Sequence, residues 1–274
     1  MKINDTAVYA LIGNPVAHSL SPLMHNRAYR ELNLAAQYVA FCVSDLSDAL
    51  RGIRALQISG VSVTIPFKVE VMKYLDEVDE DARKIGAVNT IINEQGKLKG
   101  LNTDWLGIVR TLQESMEIKG RSFVVLGAGG TAQAAIYAIT AAGGCPMIVN
   151  RTEERGRKLA LAWGIPSYSL EAIGRLKADC LINTTPVGMY PHTDASPVSG
   201  EMLNNFRLVM DVIYHPLQTR LLREATQAGC GVLSGLTMFV HQGAEQIKLW
   251  TGQEPPRELM REVVKNQLLG DKRS

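Results

Sequence analysis

The 274-residue chain has few of the residues that build disulfide frameworks or metal sites. Its four cysteines are Cys42, Cys145, Cys180 and Cys230, and no two of them form a CxxC pair. Its five histidines form neither an HxxxH nor an HExxH pair. We therefore expect no disulfide framework and no metal site, and we expect most cysteines to be small core residues in a reducing compartment.

Long basic runs and long apolar spans are also missing. The net charge is +2, so nucleic acid is not expected as a partner, because neutralising phosphates dominates such binding. No basic segment followed by an apolar one opens the chain, which predicts a cytoplasmic protein with no membrane partner. Hydrophobic residues make up 46% of the chain, enough for a buried core and for one large or two ordinary domains.

Strand and helix patterns alternate along the whole chain, which predicts an α/β architecture with mostly parallel sheets. A helix is predicted to open at Pro66, because proline favours the first turn. The acidic run 76–81 is interpreted as a solvated turn. The patterns predict strands over 7–12, 37–43, 61–64, 87–93, 97–101, 123–126, 146–149, 180–183, 208–213 and 231–233.

The segment 123–132 combines a buried strand, a glycine turn and an alanine-rich helix. Gly127, Gly129 and Ala132 fit the G-x-G-x-x-G/A dinucleotide fingerprint. Gly127 permits the tight turn, Gly129 leaves room for a pyrophosphate, and Ala132 lets the helix pack close to the sheet. The helix N-terminus offers N–H groups to phosphates. An ordinary glycine turn is the alternative, but the strand before and the helix after favour a nucleotide site.

The next strand ends at Asn150-Arg151-Thr152, about 20 residues beyond the glycine turn. An NAD enzyme would carry an acidic residue there for the ribose 2′-hydroxyl. Arg151 suits a 2′-phosphate instead, which indicates NADP, and Arg155 could join it one helical turn later. Alternatively, Arg151 is a solvated surface charge. Thr152 can also cap the helix that starts at Glu153.

Polar residues follow other predicted strands, and each has a structural alternative. Ser19 and Ser21, before a helix, could cradle a carboxylate or form a capping turn. Lys68, in the first turn of the predicted helix, is at the unfavourable end for a cation, by about 0.3–1 kcal/mol. This hints at acid–base chemistry, although a surface lysine with a packed stem is equally compatible.

Asn89 and Asp104 fall where strand ends meet loops, the usual place for ligands in open α/β sheets. Asp104 is also a good N-cap for the helix that follows. The loop 183–189 leaves another strand end, where a nicotinamide ribose commonly lies. Its alternative is an ordinary Pro-Gly turn.

Seven of these motifs occur in the order seen in shikimate dehydrogenases, which the chain resembles from about Gly13 to Gln246. The motifs are Gly-x-Pro-x-x-His-Ser-x-Ser-Pro, Val-Thr-Ile-Pro-Phe-Lys, Gly-Ala-Val-Asn-Thr, Asn-Thr-Asp, Gly-Ala-Gly-Gly-Thr-Ala, Asn-Arg-Thr and Asn-Thr-Thr-Pro-Val-Gly-Met. The resemblance implies NADP-dependent reversible reduction of 3-dehydroshikimate to shikimate in aromatic amino-acid biosynthesis. It also implies two α/β domains with a cleft between them: a substrate domain of residues 1–103 and 238–274, and a Rossmann-like NADP domain of residues 104–237.

The resemblance also implies a role for each site residue. Lys68 and Asp104 would form the acid–base pair. The substrate would be held by Ser19, Ser21 and Tyr214 at its carboxylate and by Thr64, Asn89 and Gln242 at its ring hydroxyls. The cofactor would be bound by Gly127, Ala128, Gly129, Gly130, Thr131, Ala132, Asn150, Arg151, Thr152, Arg155, Thr184, Met189, Gly235 and Met238. The predicted protein is a monomer or homodimer that binds only small molecules.

Three departures from the family pattern concern fine substrate contacts. Ser62 stands where the family usually has Asn, Trp105 stands where a small residue is common, and the segment 239–245 differs around the substrate glutamine. The nearest alternative is a dual quinate/shikimate dehydrogenase using NAD, against which Arg151 and the two small serines argue. A non-catalytic ligand sensor on the same fold would be expected to lose Lys68 or Asp104. A folate-type dehydrogenase should not share these motifs.

Overall fold

A computed structural model describes residues 6–270 of the chain. The chain divides into two compact units, Met1–Thr103 with Val240–Ser274 and Asp104–Phe239. The prediction places residues 238 and 239 with the first unit, whereas here they belong to the second. Residues 1–5 and 271–274 lie outside the described part of the chain. That one unit holds the substrate and the other the cofactor stays a prediction.

Unit 1 is built on a six-stranded mixed sheet with strand order β2-β1-β3-β5-β6-β4. β1 is parallel to β2 and β3, whereas β5 is antiparallel to both β3 and β6. Its strands are β1 (Ala7–Gly13), β2 (Ala36–Cys42), β3 (Gly60–Val63), β4 (Glu77–Val78), β5 (Thr90–Glu94) and β6 (Lys97–Leu101). Its helices are α1 (Ser21–Glu31), α2 (Leu46–Ala55), a 3₁₀ helix (Glu70–Tyr74), α3 (Glu80–Ile85), most of α8 (Gly235–Thr251) and α9 (Arg257–Gly270).

Unit 2 is built on a six-stranded sheet with order β12-β11-β10-β7-β8-β9, in which every described pair is parallel. Its strands are β7 (Ser122–Leu126), β8 (Cys145–Asn150), β9 (Ser167–Ser169), β10 (Ala178–Asn183), β11 (Phe206–Asp211) and β12 (Gly231–Leu233). Its helices are α4 (Asp104–Gln113), α5 (Gly130–Ala141), α6 (Glu153–Trp163), α7 (Arg220–Gln227) and 3₁₀ helices over Leu170–Arg175 and Gly200–Asn205. The predicted α/β class is thus confirmed.

Each unit buries its own apolar core. In unit 1, Val61, Ile91 and Leu98 are fully buried beneath α2 residues such as Leu50. In unit 2, the strands are apolar on both faces, as expected for a parallel sheet covered by helices. Local signals set the helix ends: Asp45 caps α2 by accepting a hydrogen bond from the Asp48 N–H at 2.8 Å.

The segment around Lys68 differs from the prediction. Residues 65–69 form turns, and a 3₁₀ helix follows from Glu70, so Lys68 is not in the first turn of an α-helix. The Lys68 carbonyl accepts a hydrogen bond from the Val88 N–H at 2.7 Å. The carbonyl that an α-helix would use internally is thus bonded to a residue distant in sequence.

The interpretation of the acidic run 76–81 as a turn is wrong, although Asp76, Glu77 and Glu80 are exposed to solvent as expected. Glu77 and Val78 form β4, which pairs with Lys99 and Gly100 of β6. Asp79 then caps α3 by accepting from the Ala82 N–H at 2.7 Å. The carboxylates therefore pair with cations or with backbone N–H groups.

The cysteines divide evenly, since Cys180 and Cys230 are buried and Cys42 and Cys145 are exposed. The expectation that most of them lie in the core is therefore only half right. Within residues 6–270, no helix combines the length and the apolar character that crossing a bilayer requires.

A fully buried histidine lies among aromatic rings in unit 1. The His25 ring stacks on Tyr38 with centroids 4.1 Å apart, and its Nδ1 lies 2.9 Å from the Ser21 carbonyl oxygen. Burial lowers the pKa of His25 to about 4, and the Ser21 carbonyl and the Gln246 side chain oppose this only in part. The folded state therefore holds His25 neutral.

We predict that His25 makes unit 1 lose stability in acid. The pKa of His25 is lower in the folded state than in the unfolded state. Its contribution to the free energy of unfolding is therefore complete above about pH 6.5, and about 3 kcal/mol is lost as the pH falls toward 4. His25→Phe keeps a ring in the stack but cannot titrate, so relative to wild type it should become more stable as the pH falls through this window. Urea unfolding at several pH values measures this. His192→Gln, at an exposed position, is the control and should follow the wild-type slope, and parallel wild-type and His25→Phe profiles would contradict the assignment.

Candidate functional site

Two loops of unit 1 leave the same edge of the sheet side by side. β1 and β3 are parallel neighbours, so the loops after Gly13 and Val63 start together. The Thr64 N–H donates to the Ile12 carbonyl and the Asn14 N–H to the Ile65 carbonyl, each at 2.9 Å. A Cβ atom at Gly13 would lie only 2.9 Å from the Ile65 oxygen, so glycine is required for this approach.

The third and fourth loops reach this edge because β5 and β6 form an antiparallel hairpin. Asn89 precedes β5, and its carbonyl accepts from the Val63 N–H at 2.8 Å. The Asn89 N–H donates to the Leu101 carbonyl at the end of β6 at 3.1 Å. The structure thus brings together the predicted residues Thr64, Asn89 and the 102–103 segment.

The two serines lie at the beginning of α1. Ser21 is the first helical residue, with Leu20 at the N-cap position and no side-chain cap. The Ser19 and Ser21 hydroxyl oxygens are 3.2 Å apart, and the Ser19 hydroxyl also accepts from the Ser21 N–H at 3.2 Å. Two adjacent hydroxyls at the N-terminus of a helix suit a carboxylate ligand.

Lys68 and Asp104 differ in their surroundings. Lys68 is half-buried in the turn after Thr64, and its carbonyl is bonded to Val88, the residue before Asn89. Asp104 is the first residue of α4 in unit 2 and is 3% exposed. Their roles as an acid–base pair stay a prediction.

Asn89 is the centre of a buried polar cluster in unit 1. Its Oδ1 accepts from the Thr103 N–H at 2.7 Å and from the Thr90 hydroxyl at 2.8 Å. Its Nδ2 faces Thr103 Oγ1 at 2.9 Å and Gln242 Oε1 at 3.5 Å. Asn89 and Gln242, which the motifs predicted separately, therefore lie side by side.

Sequence reasoning assigned no role to Gln246, which also joins this cluster. Its Nε2 donates to the Thr90 hydroxyl oxygen at 3.0 Å and to the Asn89 carbonyl at 3.2 Å. The available signal was its spacing: Gln246 lies four residues after Gln242, and residues at i and i+4 share one face of a helix.

In unit 2, the glycine turn lies at the point where the strand order reverses. β8 and β9 lie on one side of β7, and β10 lies on the other, so the loops after β7 and β10 flank the switch point. Gly127 has a φ of +113°, and a Cβ there would lie 2.7 Å from Thr184 Oγ1. The Thr184 hydroxyl in turn donates to the Leu126 carbonyl at 2.6 Å.

The start of α5 fits an approaching phosphate group. Gly129 is its N-cap residue, without a side-chain cap and with no acidic residue in the first turn. A Cβ at Gly129 would meet no atom of the chain within 4 Å, so internal packing does not require the glycine. Ala132, by contrast, is fully buried, as close packing of helix and sheet requires. Ala128, Gly130 and Thr131 are half-buried between these positions.

The end of β8 presents two exposed cations. Arg151 and Arg155 are exposed, and neither has an ion-pair partner within residues 6–270. Thr152 is the N-cap residue of α6, as predicted, but its hydroxyl makes no capping bond. Asn150 Nδ2 donates to the Thr152 carbonyl at 2.7 Å and so fixes this turn. Two free guanidinium groups and a hydroxyl suit a 2′-phosphate.

The loop after β10 is fixed by a buried carboxylate. Asp211 accepts from Asn183 Nδ2 at 3.1 Å and from the Thr219 hydroxyl at 2.7 Å. Asn183 Oδ1 accepts from the Thr185 N–H at 3.0 Å and so shapes the 184–189 loop. Burial raises the pKa of Asp211 to about 6, although these hydrogen bonds oppose the shift. Hydrogen bonds from buried side chains therefore fix the shape of this loop, which an ordinary Pro-Gly turn would not require.

The other predicted nicotinamide neighbours are in unit 2. Met189 is 40% exposed in this loop, whereas Met238 is buried in α8. A Cβ at Gly235 would lie 2.6 Å from the Ile213 carbonyl carbon, so α8 begins in close contact with the backbone after β11. Tyr214 stacks on Phe239 with centroids 4.1 Å apart.

The structure accounts for two of the departures in the sequence. The Trp105 ring packs edge-on against Tyr137 of α5, with centroids 5.3 Å apart. The Ser62 hydroxyl accepts from the Tyr38 hydroxyl at 2.6 Å and donates to Gln246 Oε1 at 2.8 Å. Both side chains therefore serve packing or hydrogen bonding within their own unit.

A mixed-sheet unit with polar loops at one edge, joined to a wholly parallel unit with a glycine turn at its switch point, defines a two-unit α/β protein with a Rossmann-like dinucleotide fold. Residues 11–91 match the model of the shikimate dehydrogenase substrate binding domain, and residues 235–265 match that of the shikimate 5′-dehydrogenase C-terminal domain. The chain is 46% identical over 263 residues to the NADP(+) shikimate dehydrogenase of Pyrococcus abyssi, covering 95% of this chain and 98% of that one. The chain belongs to the shikimate dehydrogenase family.

Other relatives agree over equally long stretches. The Bacillus subtilis NADP(+) shikimate dehydrogenase is 43% identical over 278 residues, covering 96% of this chain and 98% of that one. A shikimate dehydrogenase crystallised with NADP+ superposes with a TM-score of 0.91 at 41% identity, covering 98% of each chain. The Thermus thermophilus enzyme, in complex with NADP(H) and shikimate, gives 0.87 at 38% identity, covering 95% of this chain and 99% of that one.

We predict that two glycines of the same turn have opposite effects when replaced. Gly129 has extended backbone and open space around it, so Gly129→Ala should lower stability by no more than about 1 kcal/mol, the cost of alanine in place of glycine at an N-cap. It should weaken NADPH binding at least about tenfold, because the new methyl would lie at the predicted phosphate site. Gly127 has a positive φ, and a Cβ there would lie too close to Thr184 Oγ1, so Gly127→Ala should lower stability by about 1–3 kcal/mol. Calorimetric titration and thermal melts separate the two effects. If Gly129→Ala bound NADPH with wild-type affinity, the phosphates of NADPH would not bind at this turn.

Proposed function

We propose that this chain catalyses the reversible NADPH-dependent reduction of 3-dehydroshikimate to shikimate, in chorismate and aromatic amino-acid biosynthesis. The observation that carries the proposal is the set of relatives named for this reaction, at 41–46% identity over at least 95% of the chain. The proposal includes a cytoplasmic location, a monomer or homodimer, and small molecules as the only ligands. Free cysteines, two of them exposed, suit a reducing compartment.

The polar loops of unit 1 would hold the substrate. Ser19 and Ser21 would bind the carboxylate, because the two serine hydroxyls are adjacent at a helix N-terminus. Tyr214 would assist them. Thr64, Asn89 and Gln242 would bind the ring hydroxyls, and the convergence of their loops at one sheet edge supports this role.

Lys68 and Asp104 would move the proton. When bound, NADP accepts or supplies a hydride at the C3 carbon of the ring. The oxygen on that carbon must lose a proton as shikimate is oxidised and gain one in the reverse direction. Lys68 would hold this proton, and the Asp104 carboxylate would stabilise the charged lysine.

Unit 2 would bind the cofactor through the groups found at its switch point. The turn from Gly127 to Ala132 would receive the pyrophosphate at the α5 N-terminus. Arg151, Thr152 and Arg155, with Asn150 fixing their turn, would hold the 2′-phosphate. Thr184, Met189, Gly235 and Met238 would border the nicotinamide.

One spectrophotometric assay tests the proposal. Shikimate or quinate, each with NADP+ or NAD+, is added to purified protein, and NADPH or NADH formation is followed by its absorbance. We expect shikimate with NADP+ to give the highest kcat/KM and quinate to be oxidised far more slowly. An equal or greater kcat/KM for quinate would establish the dual enzyme instead, and no turnover with tight shikimate binding would establish a ligand sensor.

We predict that Arg151 sets the choice of cofactor. A charge-assisted hydrogen bond to the 2′-phosphate contributes about 1.5–3 kcal/mol, so Arg151→Ala should reduce the preference for NADP+ by roughly 10–150-fold. The KM for NADP+ should rise and that for NAD+ should stay nearly constant. Arg157→Ala is the matched control, because Arg157 is exposed on α6, the helix that follows Arg151, and pairs with Glu153 at 4.0 Å. An unchanged KM for NADP+ in Arg151→Ala would place the 2′-phosphate elsewhere.

We predict that Lys68→Ala lowers kcat by about 10²–10⁴, the usual contribution of a positioned acid–base group, with little change in KM for shikimate. Lys73→Ala, at an exposed lysine of the adjacent 3₁₀ helix, is the control and should keep wild-type kcat. A kcat within a few-fold of wild type in Lys68→Ala would remove Lys68 from the mechanism.

Asp104→Asn distinguishes catalysis from helix capping. The amide preserves shape and caps a helix about as well as the acid, so a capping role predicts little change in Tm or kcat. An acid–base role predicts a loss of kcat at unchanged Tm, because only the charge is removed. Thermal melts and steady-state rates on the same preparation discriminate between these roles.

A further inference from the structure

A continuous chain of buried hydrogen bonds runs through unit 1 behind the loops described above. The Tyr38 hydroxyl donates to Ser62 Oγ at 2.6 Å, and the Ser62 hydroxyl donates to Gln246 Oε1 at 2.8 Å. Gln246 Nε2 lies 3.0 Å from Thr90 Oγ1, and the Thr90 hydroxyl lies 2.8 Å from Asn89 Oδ1. All five residues are at most 6% exposed.

The direction of every bond in this chain follows from one fixed donor. The backbone N–H of Thr103 can only donate, and it lies 2.7 Å from Asn89 Oδ1, so that atom is the amide oxygen. Thr90 then donates its single hydroxyl proton to Asn89 Oδ1 at 2.8 Å, in preference to the Thr103 hydroxyl oxygen at 3.4 Å, and accepts from Gln246. Gln246 must therefore present its NH₂ group to Thr90 and its oxygen to Ser62.

Gln246 holds the segment before β5 in a second way. Its Nε2 also donates to the Asn89 carbonyl oxygen at 3.2 Å, across 157 residues of sequence. One side chain of α8 thus restrains both the backbone and, through Thr90, the amide of Asn89. The Nδ2 of Asn89 is consequently directed to Thr103 Oγ1 and Gln242 Oε1.

We propose that Gln246 is a positioning residue for the substrate, which acts through Thr90 to orient the Asn89 amide. Gln246 itself is 1% exposed and touches no ligand in this role. The inference rests on the proposed function, because Asn89 is assigned there to the ring hydroxyls. Ser62 belongs to the same chain of hydrogen bonds, because its hydroxyl donates to Gln246 Oε1 and so fixes the orientation of the Gln246 amide.

Isosteric variants test the chain. Gln246→Met and Thr90→Val preserve volume but remove the bonds, and each should lower kcat/KM for shikimate by about 10–100-fold, since small misplacements of binding groups have effects of that size. The KM for NADP+ should stay within about twofold, because a purely structural defect would affect both substrates. Gln253→Met, at an exposed glutamine in the same C-terminal segment, is the control and should behave as wild type.

The double variant Gln246→Met with Thr90→Val decides whether the two residues act as one unit. Gln246→Met alone removes both the bond to Thr90 and the bond to the Asn89 carbonyl, so the double variant should lose no more than about threefold beyond Gln246→Met if Gln246 acts through Thr90. Thr90→Ser, which restores the hydroxyl, should recover most of the kcat/KM that Thr90→Val loses. If Gln246→Met does not fold, Thr90→Val against Thr90→Ser still tests the hydroxyl step of the chain.

Three results would overturn the inference: multiplicative losses in the double variant, an unchanged kcat/KM in Gln246→Met, or equal activities of Thr90→Val and Thr90→Ser. Each requires that wild-type protein oxidises shikimate. Wild-type protein that fails to turn over shikimate with NADP+ contradicts the proposed function instead, so the two failures are distinguished by the first measurement of the series.

Discussion

The polar edge of unit 1 depends on satisfying the buried amide of Asn89. An amide placed out of water without partners costs roughly 1–3 kcal/mol in proteins, and Asn89 is only 2% exposed. Its oxygen receives the Thr103 N–H and the Thr90 hydroxyl, and its nitrogen faces Thr103 and Gln242. Meeting these needs brings together the start of β5, the end of β6 and one face of α8. The same bonds that make burial tolerable therefore give Asn89 a single orientation.

The antiparallel hairpin is the topological reason that this edge collects so many polar residues. In a wholly parallel sheet, the residue before a strand lies at the opposite edge from the residue after its neighbour. Because β5 runs against β3, the start of β5 lies beside the end of β3, and Asn89 bonds directly to Val63. The hairpin then returns the chain, so the 102–103 segment reaches the same edge. Unit 2 has no described antiparallel pair, and its candidate cofactor groups lie in segments that follow its strands.

Most of the fold and many positions of the candidate site could be predicted from local sequence. The β7 strand, the glycine turn and α5 follow from an apolar run, two glycines and an alanine-rich segment that are contiguous in the chain. β4 and the Lys68 segment could not be predicted, because partners distant in sequence decide both. The Lys68 carbonyl bonds to Val88, which removes a helical bond, and β4 exists only because β6 pairs with it. Gln246 shares this limit, since its bond to Asn89 spans 157 residues.

The two units fix their candidate groups by different physical means, and this difference bears on which substitutions each tolerates. In unit 2, the turn at Gly127 depends on backbone conformation and close contact, so any side chain there is strained, whereas the exposed Arg151 and Arg155 have few neighbours that depend on them. In unit 1, the orientation of Asn89 depends on a chain of donors that must each point one way. A serine at position 62 satisfies that chain because a hydroxyl can accept from Tyr38 and donate to Gln246 at once. A side chain at position 62 that can only accept, or only donate, would break this chain of hydrogen bonds. The break would lie two side chains, Gln246 and Thr90, before the Asn89 amide that the chain orients.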